Sequence, residues 1–286
     1  MEERKIAIMT DSSSTLDYMD HDYNEIFITR LTISFSDDEY VDGETISNTE
    51  FFDRLTSEDV IPTSSQPSIG NIAKLFETIR DEGYTDIIFL PLSKGISGTY
   101  QSSFAAKDLV DGIDIHIVDT KCTSVYLGFM AMEAARLARE GKSVEEIITV
   151  CDKHAEQYEV IFMVEDLRYL VKNGRLSNAA GFLGGILKIK PMLEFDEEGK
   201  IVGREKKRTT KKALKYLVDQ IIERTKGYKK VQYLVTYGLD KDLKEKFDEE
   251  LERVKPLGNI MDAPLPSVIG CHVGNSVVSL GYFVVE

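Results

Sequence analysis

Three turns of this sequence gather hydroxyl side chains where a short apolar run gives way to a helical pattern: "TDSSSTL" at 10–16, "PTSSQPS" at 62–68 and "SKGISGTYQSS" at 93–103. Two chemistries are open to such turns. A serine becomes a nucleophile when a base lies beside it, and on an α/β sheet its usual setting is a glycine-flanked elbow of the form GxSxG. "GISGT" places Ser97 one position away from that spacing. Alternatively, the hydroxyls and the free N–H groups of the following helix start hold an anion. Ser, Thr and Asp are also the preferred helix N-caps, so capping alone accounts for any single turn. Gly98 sets the third turn apart, because a residue without a side chain lets a ligand come close to the backbone. The histidines are His21, His116, His154 and His272. His116 alternates with Ile113, Ile115 and Ile117 and belongs to a strand, and His154 follows a charged helical stretch. His272, in "VIGCHVGNS", sits among glycines and is the one candidate base. A base without an orienting partner does not make a triad, so the hydroxyls read as donors that bind rather than react. No GxxxxGK[ST] loop or HExxH helix is present, and the acidic "DEEGK" and "FSDDEYVDGE" match no calcium loop. Neither a metal nor a cofactor is expected.

The elements that must position these turns are written in the apolar periodicity. "KIAIMTD", "DIIFLPLS", "IDIHIVDT" and "EVIFMVEDL" are short apolar runs of strand length. Between them, "SIGNIAKLFETIRDEG" repeats its apolar residues at helical spacing and stops at Gly83, and "SVEEIITVCDKHAEQ" opens with the Ser143–Glu146 capping-box pattern. Strands alternating with helices predict a parallel sheet flanked by helices. Beyond about residue 158 the pattern changes to a hairpin in "KPMLEFDEEGKIVG", two amphipathic helices around the strand "VQYLVTYG", and a closing strand "SVVSLGYFVVE". The expectation is a two-domain α/β protein: an N-terminal α/β domain over 1–158 and a C-terminal mixed α+β domain over 159–286.

Charge narrows the partners. The 286 residues carry 35 basic and 49 acidic side chains, a net charge of −14, which repels a phosphate backbone and argues against nucleic acid. No apolar run reaches the roughly 18 residues of a membrane span. The start "MEERKIAIMTD" lacks the pattern of a signal peptide, and three widely spaced cysteines form no disulfide framework, so a cytoplasmic location is expected. Against the acidic background, residues 168–215 hold 13 basic and 5 acidic side chains, an excess of 8. Such a face suits an acidic partner or a phosphate-bearing ligand.

The motifs "MTDSSSTL", "SSQPS", "SKGISGTYQSS", "VDTK", "LRYLVKNGRLS", "KIKPML" and "GCHVGNS" run through the chain in an order and spacing that resemble the DegV family. These are bacterial fatty-acid-binding proteins, some of which serve as the acyl-carrying subunit of fatty acid kinase. The resemblance implies a non-catalytic carrier. It would bind a long-chain fatty acid and present the carboxylate to a partner kinase for acyl-phosphate formation, on the way to phospholipid synthesis, with transient contact at a membrane surface. It also implies that the ligand lies between the two domains, that Ser64, Ser97 and His272 hold the carboxylate, with Ser65 and Ser93 beside them, and that Arg175 and Arg208 engage the kinase. Two places depart from the family pattern: Ser64 stands where Thr is usual, which keeps the hydroxyl, and "HVGNS" replaces the usual His-Thr-Gly-Pro-Gly. The physics suits such a ligand, since neutral donors keep a carboxylate ionised and each buried methylene is worth about 0.8 kcal/mol. Phe129, Met130, Phe182, Leu183, Ile186 and Leu187 are candidates for the acyl-chain pocket, although core packing explains them equally well. The alternatives are a serine esterase using Ser97 or Ser93 with His272, and a phosphate- or sugar-binding module.

Overall fold

A computed structural model describes residues 4–179 and 189–285. Strands β1 (Ile6–Asp11), β2 (Ile26–Thr29), β6 (Asp86–Leu90) and β7 (Asp114–Ile117) form a parallel sheet in the order β2-β1-β6-β7. Alternation along β1 divides its side chains between two layers. Ala7 and Met9 face the cluster of helices α2 (Ile69–Asp81) and α3 (Thr99–Lys107), whereas Ile8 faces α4 (Ser124–Arg139) and α5 (Val144–Gln157). The predicted flanked parallel sheet is therefore present, and α5 carries the predicted capping box at Ser143 and Glu146.

A second sheet has six strands in the order β10-β9-β8-β13-β11-β12: β8 (Glu159–Val164), β9 (Lys190–Phe195), β10 (Ile201–Lys207), β11 (Val231–Tyr237), β12 (Ile260–Pro264) and β13 (Val277–Val284). It is mixed, since β11 pairs parallel with β12 and antiparallel with β13. Even-numbered residues of β13 (Val278, Leu280, Tyr282) pack under α7 (Thr210–Thr225) and α8 (Lys241–Leu251), and odd-numbered Val277 and Phe283 face the layer of α4. The run "EVIFMVEDL", grouped with parallel strands by its apolar texture, is β8, and it runs antiparallel to both its neighbours. An apolar run has no direction of its own; pairing partners supply it.

A third, antiparallel sheet (β4-β3-β5) is made of β3 (Thr32–Phe35), β4 (Asp38–Val41) and β5 (Thr63–Ser65). These strands have four residues or fewer and are partly exposed, so they carry no long apolar signal. The remaining helices are α1 (Asn48–Ser57), α6 (Arg168–Lys172) and α9 (Ser267–Val273). Among the described residues no helix is long and apolar enough to cross a membrane.

Candidate binding site

Where the carboxyl ends of β6 and β7 approach the inner face of the six-stranded sheet, a slot encloses about 880 Å³ of atom-free space, open mouth included. Most of its wall is hydrocarbon, from residues such as Leu92, Ile96, Phe162, Leu265, Val268 and Val277. Its polar groups include Ser64 and Gln66 at β5, Ser97 before α3, Thr123 and Ser124 at the start of α4, Arg175 after α6 and His272 of α9.

Ser64 Oγ lies 2.7 Å from His272 Nε2, although 208 residues separate them. The pairing has a local cause on each side. β5 pairs with β3, placing Ser64 opposite Ile33, and strand alternation then turns the exposed Ser65 to the other face. α9 starts directly after Leu265, whose N–H donates to Tyr237 O at 2.8 Å, so the last turn carries His272 over β5. His272 is buried, and burial together with the nearby positive charge of Arg175 pushes its pKa down to about 4. At neutral pH it is an uncharged imidazole with one donor and one acceptor. Its Nδ1 has no partner among the described residues, so no acid orients it as a base.

Arg175 donates from Nε to Ile96 O at 3.1 Å and from Nη1 to Asn173 O at 2.6 Å. No ion-pair partner is found for it among the described residues, which fixes a positive charge at the slot wall without neutralising it. Ser97 also lines the slot; its Oγ accepts from Thr99 N–H at 3.2 Å and lies 2.9 Å from Thr99 Oγ1. A Cβ at Gly98 would overlap the end of the Gln66 side chain, whose amide donates to Ser102 Oγ, so a larger residue there would displace Gln66.

Ser64, Ser97 and His272 thus share one slot, whereas the other expected carboxylate holders lie elsewhere. Ser65 points away from it. Ser93 is fully buried, donates to Gly199 O at 2.8 Å and accepts from Gly95 N–H at 3.1 Å, so it fastens the loop after β6 to the β9–β10 turn. The serine hydrogen-bonded to His272 is neither Ser93 nor Ser97. Phe129 stacks on Phe283 with ring centroids 5.2 Å apart, and Met130 is fully buried; both belong to the core, not to the slot wall. Tyr126, Phe129 and Met130 share one face of α4, and it is position along the helix that differs: Ser124 and Tyr126, in its first turn, line the slot, whereas Phe129 and Met130 lie a turn further on. Phe182, Leu183, Ile186 and Leu187 lie outside the described residues. Arg208 is exposed just before α7, away from the slot wall. His116 lies 3.2 Å from Asp86, and His154 packs against Phe129 and Phe283. Among the described residues no cluster suited to a metal ion is found.

Gln66, Thr123 and Ser124 escaped the sequence reading. A signal existed: "DTKCTS" after β7 is a fourth hydroxyl turn following a strand, and it opens α4.

A family model described as "Uncharacterised protein, DegV family" matches residues 5–285. A DegV domain-containing protein of Staphylococcus aureus (strain N315) is 35% identical over 280 residues, covering 97% of each chain. One from Streptococcus pneumoniae is 36% identical over 284 residues, covering 97% of this chain and 98% of its own. Among solved structures, a fatty acid binding DegV family protein from Streptococcus agalactiae superposes with a TM-score of 0.90 at 30% identity, over 99% of this chain and 100% of its own. DegV from Bacillus subtilis, described as a fatty acid binding protein, gives 0.87 at 31% identity, over 99% and 100%.

Proposed function

The chain belongs to the DegV family, and from that premise we propose that it binds a long-chain free fatty acid in the slot and presents the carboxylate to a separate ATP-using kinase. The observation that carries this reading is the Ser64–His272 pair, 2.7 Å apart, on an otherwise largely apolar slot. His272 Nε2–H donates to Ser64 Oγ, and the Ser64 hydroxyl is then free to donate to a carboxylate oxygen; the hydrogen bonds of such a chain reinforce one another. Ser97 and the start of α3 offer further donors, and the Arg175 charge favours an anion there. The acyl tail supplies most of the affinity, since its methylenes leave water at about 0.8 kcal/mol each.

The carboxylate becomes an acyl phosphate on the kinase, with this chain acting as a non-catalytic carrier whose product serves phospholipid synthesis. Residues 1–158 and 159–286 act as the two walls of the carrier. Arg175, at the slot wall, and the exposed Arg208 are the groups that meet the kinase. Native mass spectrometry of the purified protein tests the reading: an added mass of fatty-acid size, lost on delipidation and regained at about one molecule per chain, supports it. Failure of delipidated protein to take up any long-chain fatty acid, whatever its length, overturns it.

A further inference from the structure

The slot has a second polar place, on the wall formed by the six-stranded sheet. Thr236 of β11 and Ser279 of β13 face each other in register, Tyr126 of α4 reaches the same spot, and all three line the slot. Tyr126 Oη donates to Leu234 O at 3.2 Å and lies 3.0 Å from Ser279 Oγ, which also accepts from Thr236 N–H at 3.1 Å. With Ser279 donating to Tyr126, both of those hydroxyls are satisfied. Thr236 Oγ1 is not: it is buried and has no partner.

Of the slot-lining residues, Thr236 and His272 are the two that hold a buried polar side-chain atom without a partner among the described residues. No hydrogen bond among the described residues joins Thr236 to the Ser64–His272 pair. A plain hydrocarbon tail leaves its hydroxyl unmet, and a buried hydroxyl in that condition is a standing cost that valine, of nearly the same shape, would avoid. An oxygen carried on the tail removes the cost.

Resting on the fatty-acid reading above, we propose that Thr236 is a specificity-determining residue that favours acyl chains bearing a hydroxyl or oxo group at the carbon lying against it. Delipidated full-length protein and its Thr236→Val variant are titrated with stearate and with hydroxystearates whose hydroxyl is moved stepwise along the chain. The expected result is one positional isomer that the unchanged protein binds about tenfold more tightly than the variant, the worth of one buried hydrogen bond. For stearate the order reverses, and the variant binds more tightly. Thr236→Ser, which keeps the hydroxyl, retains the isomer preference, and Thr236→Ala carries the same comparison should Thr236→Val fail to fold.

An equal ratio between protein and variant for stearate and every isomer overturns the proposal; a water fixed on Thr236 would produce that outcome. Stearate binding with no isomer preference defeats this inference alone. Absence of any acyl binding defeats the fatty-acid reading with it.

Discussion

Ser64→Ala and His272→Phe, made singly and together, separate a shared head-group site from two independent polar residues. Ser64 Oγ and His272 Nε2 are 2.7 Å apart, so on the proposed reading the imidazole holds the hydroxyl that meets the carboxylate. Each hydrogen bond to a charged acceptor is worth about 1.5–3 kcal/mol, so Ser64→Ala should weaken binding of palmitate roughly 10- to 150-fold. Removing His272 after Ser64 should cost much less than removing it first, because the imidazole acts through the hydroxyl. The double variant is then expected to fall short of additivity by about 0.5–3 kcal/mol, the usual coupling of residues in one network. Calorimetric titration of delipidated protein provides the measurement, since the chain has no tryptophan to report binding by fluorescence. Methyl palmitate is the internal control: it lacks the anionic head, so the same substitutions should change its affinity little. Equal losses for acid and ester, or strict additivity of the two substitutions, would refute a shared carboxylate site.

Lengthening the saturated acid by one methylene should tighten binding about fourfold until the slot is full and then stop, as a titration of successive chain lengths would record. His272 and Asp42 should give opposite pH dependences of stability. The His272 pKa is pushed from 6.5 down to about 4, so the unfolded chain binds the extra proton and stability falls by about 3 kcal/mol as pH drops from 7 towards 4. Burial raises the Asp42 pKa to about 7, against the opposing hydrogen bond from Ser12, so its protonated form stabilises the fold at low pH and that contribution is lost as pH rises through 7. Denaturant titrations at pH 5 and pH 8 should therefore show His272→Phe gaining most, relative to the unchanged protein, at the acidic end and Asp42→Asn at the basic end. Gly199 has a φ of 72°, and a Cβ there would overlap Ser93 Oγ, so Gly199→Ala should lower the unfolding free energy by at least about 1 kcal/mol in the same assay.

What could be read from the sequence divides along physical lines. Local signals survived: the apolar runs of β1, β6 and β7, the helix of α2, and the capping box of α5 all depend on neighbours within a few residues. The hydroxyl turns were legible for the same reason, since they follow strands directly. Choosing among the serines was not, because Ser64 and Ser65 differ only in the face they occupy on a three-residue strand too short to show a period. The distance of 208 residues between Ser64 and His272 is bridged by sheet pairing and helix placement, which spacing cannot encode. For that pair it was the family motifs that named both residues, without naming the contact between them. Phe129 and Met130 misled because a core and a lipid slot ask for the same residue types. Tyr126 at the slot and Phe129 on Phe283 share one face of α4 and differ only in how far along the helix they sit, which depends on where the slot ends.

The electrostatics of the slot bear on release as much as on capture. A protonated histidine facing a buried carboxylate would form an ion pair, and breaking such a pair leaves an uncompensated charge that costs about 3–5 kcal/mol. Here burial and Arg175 keep His272 neutral. Arg175 cannot easily swing in to replace it, since two of its nitrogens are engaged by the carbonyls of Ile96 and Asn173. On the proposed reading, a bound carboxylate would be met by neutral donors and a fixed charge set to one side. Such a site holds the head through hydrogen bonds that a partner's own groups can exchange one at a time, while the tail remains in the slot. The carrier role proposed above, in which the carboxylate is surrendered to chemistry while the hydrocarbon stays, would need that division, and a buried ion pair in the slot would work against it.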